Sequence, residues 1–305
     1  MDHQQGSARV HYGWLVLAVG TLAIVGGIGF GRFSYSTVLP NMQADLGLAN
    51  GPAGFLVTLG LTGYLILAIL GGPLIARFGN RKIATAGLVV GGAGMVSLFL
   101  ADTYLWVAIF STLAGLGSGA VHMSIFGLWP AWFAKSKRGL ASGICVAGGP
   151  VGMVLASAAL QGLTPLYANK AWQVSWLIFG AYTLAMAVFS FLILRDHPSE
   201  KGCRAIGEQE QTAAGAARPG SLDWQSVYRE PLIWVLGVVY LIFGFTYISY
   251  MTFHVKHLVA DIGLPMTSAA NLYMLMGWIS LISGVLWGWI SDFIGRRRTL
   301  IILFV

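Results

Sequence analysis

Charge is scarce in this chain, and acidic charge scarcer still. Only 10% of the 305 residues are charged, with 11 Asp and Glu against 18 Lys and Arg. No Asp or Glu falls inside any complete long apolar run, so no carboxylate stands in a membrane segment to hold a cation or a proton. Cysteine is almost missing too. Cys145 lies in an apolar run and Cys203 in a polar stretch, too far separated to pair. Neither belongs to a redox or metal motif. His254 and His257 stand one helical turn apart without a third ligand nearby, so no metal is expected. The chain has no G-x-x-x-x-G-K-S/T stretch, the mark of a nucleotide-driven pump, and no H-E-x-x-H, C-x-x-C or G-x-S-x-G constellation of an enzyme. Neither catalysis nor a bound cofactor is expected.

What fills the chain is apolar sequence. Hydrophobic residues make up 56% of it. A hydrocarbon core of about 30 Å takes about 20 residues of helix. Eight runs are of that order: roughly 12–39, 52–75, 83–101, 103–133, 140–164, 172–194, 231–255 and 266–290, with a ninth beginning near Thr299. The first run is too long for a signal peptide and has no small-residue cleavage site. The net charge of +7 is no nucleic-acid signal. If the N-terminus is cytoplasmic, all Lys and Arg except Arg32, Lys170 and Lys256 fall on the cytoplasmic side. That bias predicts a plasma-membrane protein with a cytoplasmic N-terminus.

Six runs precede a polar stretch rich in Gly, Ala, Gln and acidic residues, which reads as a flexible cytoplasmic linker. Its end, Leu222 to Tyr228, suits a short interfacial helix, and Pro231 suits the first turn of the next span. Trp129 and Trp132, flanking Pro130, fit a cytoplasmic interface anchor. Gly26, Gly27, Gly29 and Gly31 weaken the first span near its middle, and Gly149 with Pro150 marks a hinge in the fifth.

One loop pattern occurs twice, each time after an apolar run. The first copy is Gly72-Pro73-Leu74-Ile75-Ala76-Arg77-Phe78-Gly79-Asn80-Arg81-Lys82, and the second is Gly288-Trp289-Ile290-Ser291-Asp292-Phe293-Ile294-Gly295-Arg296-Arg297-Arg298. Repetition on this scale in a membrane protein indicates two similar helical bundles in tandem. On these residues the chain resembles the major facilitator superfamily, whose most recognisable motif has the form G-x-L-x-D-R-x-G-R-R. The resemblance implies an all-α polytopic membrane protein with two helical bundles around a central cavity that opens to either side in turn. Residues 1–194 would be a six-helix bundle, 195–230 the linker, and 231–305 a partial second bundle that stops inside its third helix. Gly72, Arg77, Gly79 and Arg81, with Gly288, Asp292, Gly295 and Arg296, would form conformational latches on the cytoplasmic side. The motif's carboxylate is Ala76 in the first copy and Asp292 in the second. The first latch should therefore be weaker, with Arg77 deprived of its partner.

Tyr12-Gly13-Trp14 and Gly29-Phe30-Gly31-Arg32-Phe33-Ser34-Tyr35 are similar to the first span of monocarboxylate and oxalate–formate type transporters, and of a poorly characterised bacterial branch, which implies a bacterial inner membrane. The eighth run lacks the Asp and Arg that monocarboxylate carriers place there, which speaks against proton-coupled monocarboxylate transport.

Arg32 is the only permanently charged side chain inside a complete run. A buried guanidinium with no membrane carboxylate favours anions, above all carboxylates that it can grip bidentately. Alternatively it snorkels to the headgroups. His122 either relays a proton or bonds a neighbouring helix. Tyr35, Tyr64, Tyr247 and Tyr250 could line the cavity with hydroxyls and rings. The expected function is secondary transport of small organic anions such as monocarboxylates by alternating access, with the bilayer and protons as further partners. A proton-coupled drug or metabolite exporter is the rival within transporters, and a non-transporting membrane sensor or scaffold the rival outside them.

Overall fold

Lipid offers a backbone no hydrogen-bond partners, so a chain this apolar must satisfy its N–H and C=O groups within each segment, and helices do that. The computed structural model describes residues 11–207 and 229–304, with the side chains at 169, 284, 285, 288, 289, 291–293, 296, 297, 300 and 304 outside the description. The expectations for Gly288, Asp292 and Arg296 therefore fall outside the described side chains, and the segment 222–228 outside the described residues.

The described helices are α1 (Tyr12–Leu46), α2 (Asn50–Phe78), α3 (Asn80–Leu98), α4 (Tyr104–Trp132), α5 (Lys135–Tyr167), α6 (Ala171–Ile193), α7 (Pro231–Ala260), α8 (Met266–Ile294) and α9 (Arg296–Phe304). Among the described residues, α1, α2, α4, α5, α6 and α7 are long and apolar enough to cross a membrane. The helices α3 and α8 occupy the other two expected runs. Several helices outrun their apolar stretch. The first passes Pro40 and stops only where Gly47 turns left-handed, at φ 62°, a conformation that favours glycine. The third ends three residues early, its chain tightening into a turn in which Leu100 and Ala101 bond back to Ser97 and Leu98.

Helices α1 to α6 pack around α4. Its Gly115, Gly117 and Gly119 lie against the backbones of Gly60 in α2, Gly87 and Gly91 in α3, and Tyr64 in α2. One apolar cluster gathers Leu39, Met42, Leu56, Leu98, Trp172 and Phe179 toward the end where α1 stops. Another gathers Val16, Leu88, Ile125, Leu128, Trp129 and Trp132 toward the end where α1 starts. We call the latter the basic end, because most Lys and Arg lie there. Trp129 and Trp132 are buried in that cluster instead of anchoring at an interface, and Trp132 Nε1 donates to Arg195 O at 2.8 Å. Helix α7 packs on the second half of α1, and α8 on α5.

The repeated loop is also a repeated backbone. Single glycines join α2 to α3 and α8 to α9, and Gly79 and Gly295 share a φ of 85°. The start of the polar stretch is docked, not loose. Ile206 N donates to Trp132 O and Ala134 N to Ile206 O, and Asp196 Oδ1 accepts from Arg81 N at 2.8 Å. The carboxylate at the N-terminus of α3 is thus Asp196, from beyond α6. Arg81 adds a bond from Nε to Phe191 O at 2.8 Å. Gly79 and Arg81 therefore tie α2–α3 to the end of α6, within the first six helices, and Arg77 lies over the Phe78 ring. Replacing Asp196 by Ala should cost about 1 kcal/mol through loss of a cap and a favourable dipole contact. Thermal unfolding in detergent checks this. An unchanged midpoint would mean that water replaces the carboxylate at no loss.

Candidate functional site

Four glycines in nine residues reshape the middle of α1. Val25–Phe33 is wound as a π-helix, a wider turn that frees carbonyls and recurs at functional sites. Each glycine meets a different neighbour. A Cβ on Gly26 would touch Thr183, on Gly27 Val121, on Gly29 the backbone of Gly152, and on Gly31 Ser118. Ser118 Oγ donates to Gly27 O at 2.5 Å.

Arg32 sits at the last turn of this π segment. Within a 35-residue helix it lies about 20 Å from the nearer end, at 1.5 Å per residue. Its guanidinium carbon is 5.7 Å from the centre of the Tyr64 ring and 5.8 Å from that of Phe33, within cation–π range. Among the described residues no carboxylate lies within ion-pair distance of Arg32.

Two cavities meet at this side chain. The first is lined by Tyr35, Leu56, Leu61, Tyr64, Ser118 and Trp176, between α1, α2, α4 and α6. The second is lined by Ser36, Tyr247, Met251, Thr252 and Tyr273, between α1, α2, α7 and α8. Their volumes of about 50 and 30 Å³ hold a few waters and no organic molecule. Any substrate at Arg32 would require the helices to part.

The structure sorts the expected residues. Arg32, Tyr35, Tyr64 and Tyr247 come together. The Tyr35 hydroxyl is already engaged, donating to Ala53 O at 3.0 Å. His122 stands one step back, its Nδ1 2.5 Å from the Tyr64 hydroxyl, so it touches Arg32's surroundings only through Tyr64. Tyr250 is 56% exposed and lines a separate cavity at the far end of α7. Tyr273 went unnoticed in the sequence. It is fully buried and donates to Phe33 O at 2.8 Å, fixing α8 against the residue beside Arg32. One tyrosine among eleven gives no signal of that kind, because the bond joins residues far apart in the chain.

Gly149 and Pro150 sit where α5 divides. Its first part ends at Val146 and its second begins at Gly148. Proline has no N–H and its ring crowds the carbonyl four residues back, here Val146. A Cβ on Gly149 would meet the Phe33 ring at 3.0 Å, and Pro150 O lies 3.2 Å from a Cβ built on Gly277. The break in α5 therefore lies where α1 and α8 converge.

The profile of the Major Facilitator Superfamily matches residues 21–305. The chain belongs to that superfamily. It is 25% identical over 271 residues to the hexuronate transporter of Bacillus subtilis, covering 87% of this chain and 61% of that one. It is 22% identical to a probable sulfoacetate transporter of Cupriavidus necator, covering 87% and 62%, and 23% identical to the cis,cis-muconate transport protein of Acinetobacter baylyi, covering 90% and 65%. The chain thus spans about three-fifths of the length of these relatives. Among solved structures it resembles an inward-facing, unoccupied bacterial homologue of the human lysosomal transporter Spinster. The TM-score there is 0.68 at 18% identity, over 96% of this chain and 64% of the other. The xylose transporter of E. coli in a partially occluded inward-open form gives 0.66 at 19%, over 94% and 75%. These likenesses show the fold, and the family match makes the chain a multi-pass membrane protein of a superfamily of transporters, not of enzymes.

Proposed function

We propose that this superfamily member is a secondary transporter of small organic anions, working by alternating access, with Arg32 as the residue that takes the carboxylate. The observation that carries this reading is a single guanidinium deep in α1, bordered by two cavities and lacking a carboxylate partner among the described residues. A desolvated cation of this kind is unfavourable unless something negative completes it, and an arriving carboxylate does. The relatives named for hexuronate, sulfoacetate and cis,cis-muconate all carry such anions in their names, which supports the class without choosing a member. Tyr64 and Tyr247 would offer hydroxyls to the anion, the break at Pro150 would let α5 bend, and residues 1–194 and 231–305 would belong to separate rocking bundles joined by 195–230.

The test is uptake by the full-length protein in proteoliposomes, with labelled monocarboxylates, dicarboxylates, sugar acids and organic cations. Saturable carboxylate flux with no cation flux is expected, and cation flux alone would overturn the reading. We also propose a bacterial inner membrane with the basic end inside. Cys145 is buried and Cys203 partly exposed, so an impermeant maleimide should label Cys203 in inside-out vesicles and not in right-side-out cells. Labelling from the cell exterior would reverse the orientation.

A further inference from the structure

We propose that Lys256 is a second anion-binding point, at the end opposite the basic loops, and that a small organic carboxylate bound there unfastens a closed gate. This rests on the anion-transport reading only for the chemistry of the ligand. Every polar tie described between α7–α8 and the helices before them lies in that half of the molecule. Lys256 Nζ, on α7, donates to Gln43 Oε1 at 2.5 Å and also to Asn50 Oδ1. Gln43 ends α1 and Asn50 begins α2, so one ammonium clasps three helices. Gln161 Nε2 donates to Asn271 Oδ1 at 3.1 Å across α5 and α8, and Tyr273 secures α8 to Phe33.

The clasp is electrically incomplete. Both acceptors are neutral amides, and the Gln43 oxygen is turned to Lys256 because its amide nitrogen donates to Leu48 O at 3.2 Å. The nearby carboxylates are engaged elsewhere. Asp261 Oδ2 is 2.7 Å from His257 Nδ1, and Asp45 Oδ2 takes Lys170 at 3.3 Å and Trp172 Nε1 at 3.0 Å. Meanwhile Lys256 lines an open cavity of about 690 Å³ with Asn50, Tyr250, His254, His257 and Asp261, large enough for an organic anion; the one carboxylate in that lining, Asp261, is the one held by His257. A charged acceptor makes a stronger hydrogen bond to an ammonium than a neutral amide does. An anion entering this cavity would therefore exchange for Gln43 and Asn50 on Lys256. An anion that takes these donors from Gln43 and Asn50 gains its full set of bonds to Lys256 with the clasp open, so it binds the open state better and shifts the population toward it. Arg32 lies beneath, in the cavity that opening would expose.

The experiment uses the full-length protein in phosphatidylcholine vesicles, which carry no net-anionic headgroup to compete. Both native cysteines are replaced by alanine and a reporter is introduced as Thr252→Cys, a buried position on α7. Its labelling by an impermeant maleimide is followed with succinate or glucuronate, against chloride at equal ionic strength. We expect the organic anions, not chloride, to raise the labelling rate several-fold. Lys256→Gln should raise the anion-free rate about tenfold, the scale of a lost charged hydrogen bond, and abolish the response. The response should persist with Arg32→Gln, which separates this proposal from the transport reading. A response that survives in Lys256→Gln, or that chloride reproduces, overturns it. If Lys256→Gln does not fold, Gln43→Ala with Asn50→Ala removes the acceptors instead. A raised anion-free rate is expected there, and an unchanged rate overturns the clasp.

Discussion

Replacing Arg32 by Gln should reduce carboxylate uptake about 100-fold or more while leaving expression and membrane insertion intact. The magnitude follows from removing a charge-assisted, bidentate contact worth about 3 kcal/mol, at a site where no other cation is described nearby. Arg32→Lys keeps the charge but not the planar fork, so it should fall between the two. Folding should not suffer, because among the described residues the guanidinium makes ring contacts with Tyr64 and Phe33 and no hydrogen bond or ion pair, and its removal relieves a buried charge. The decisive measurement is initial uptake rate against substrate concentration for the three proteins. Wild-type kinetics in Arg32→Gln would remove the residue from the substrate path and leave it a solvated side chain in a narrow cleft.

Much of the fold could be read before the structure. Apolar runs are long because a bilayer is thick, and the expected runs fall on α1 to α8, with differences at the ends and, inside the runs, at the π segment of α1 and the break in α5. The repeated loop was legible for a similar reason, since a single-residue turn at Gly79 or Gly295 needs a positive φ, and glycine records that need in the sequence. Arg32 stood out because charge in an apolar run is rare. What escaped were partners brought from afar. Ala76 leaves the first loop without the motif's own carboxylate, and nothing near it in the sequence shows that Asp196, 115 residues beyond Arg81, accepts from the Arg81 N–H. Trp129 and Trp132 suggested a membrane interface, but they are 2% and 0% exposed, because α1 and α6 close over them. Lys256 stood out only as a basic residue off the cytoplasmic side, since nothing local reveals that Gln43 and Asn50 face it. The π turn was equally hidden. Its glycines announced weak helix, not the direction in which each would be used.

Those glycines lead to the second large effect. Gly115→Ala should abolish most folded protein, whereas Gly139→Ala should be neutral or mildly stabilising. A methyl built on Gly115 falls 1.9 Å from Gly60 O and 2.9 Å from Gly60 Cα. Both are backbone atoms, so no side chain can rotate away, and α2 must move bodily from α4. Overpacking that side chains can relieve costs about 1–3 kcal/mol, and this contact should sit at or above the upper end. The strain would also spread, because Gly63 meets Thr112 O on the same seam and Gly117 meets Gly91 on the next. Close backbone approach between membrane helices is what small residues permit, since lipid provides no hydrophobic drive to hold looser ones together. Gly139 has nothing within 4 Å of its added methyl and lies in α5, where alanine is the better helix former by about 1 kcal/mol. Size-exclusion profiles and unfolding midpoints of the two variants in the same detergent make the comparison. Equal behaviour would mean that α2 and α4 are not held at backbone contact, and the wall of the first cavity beside Arg32 would then need redrawing.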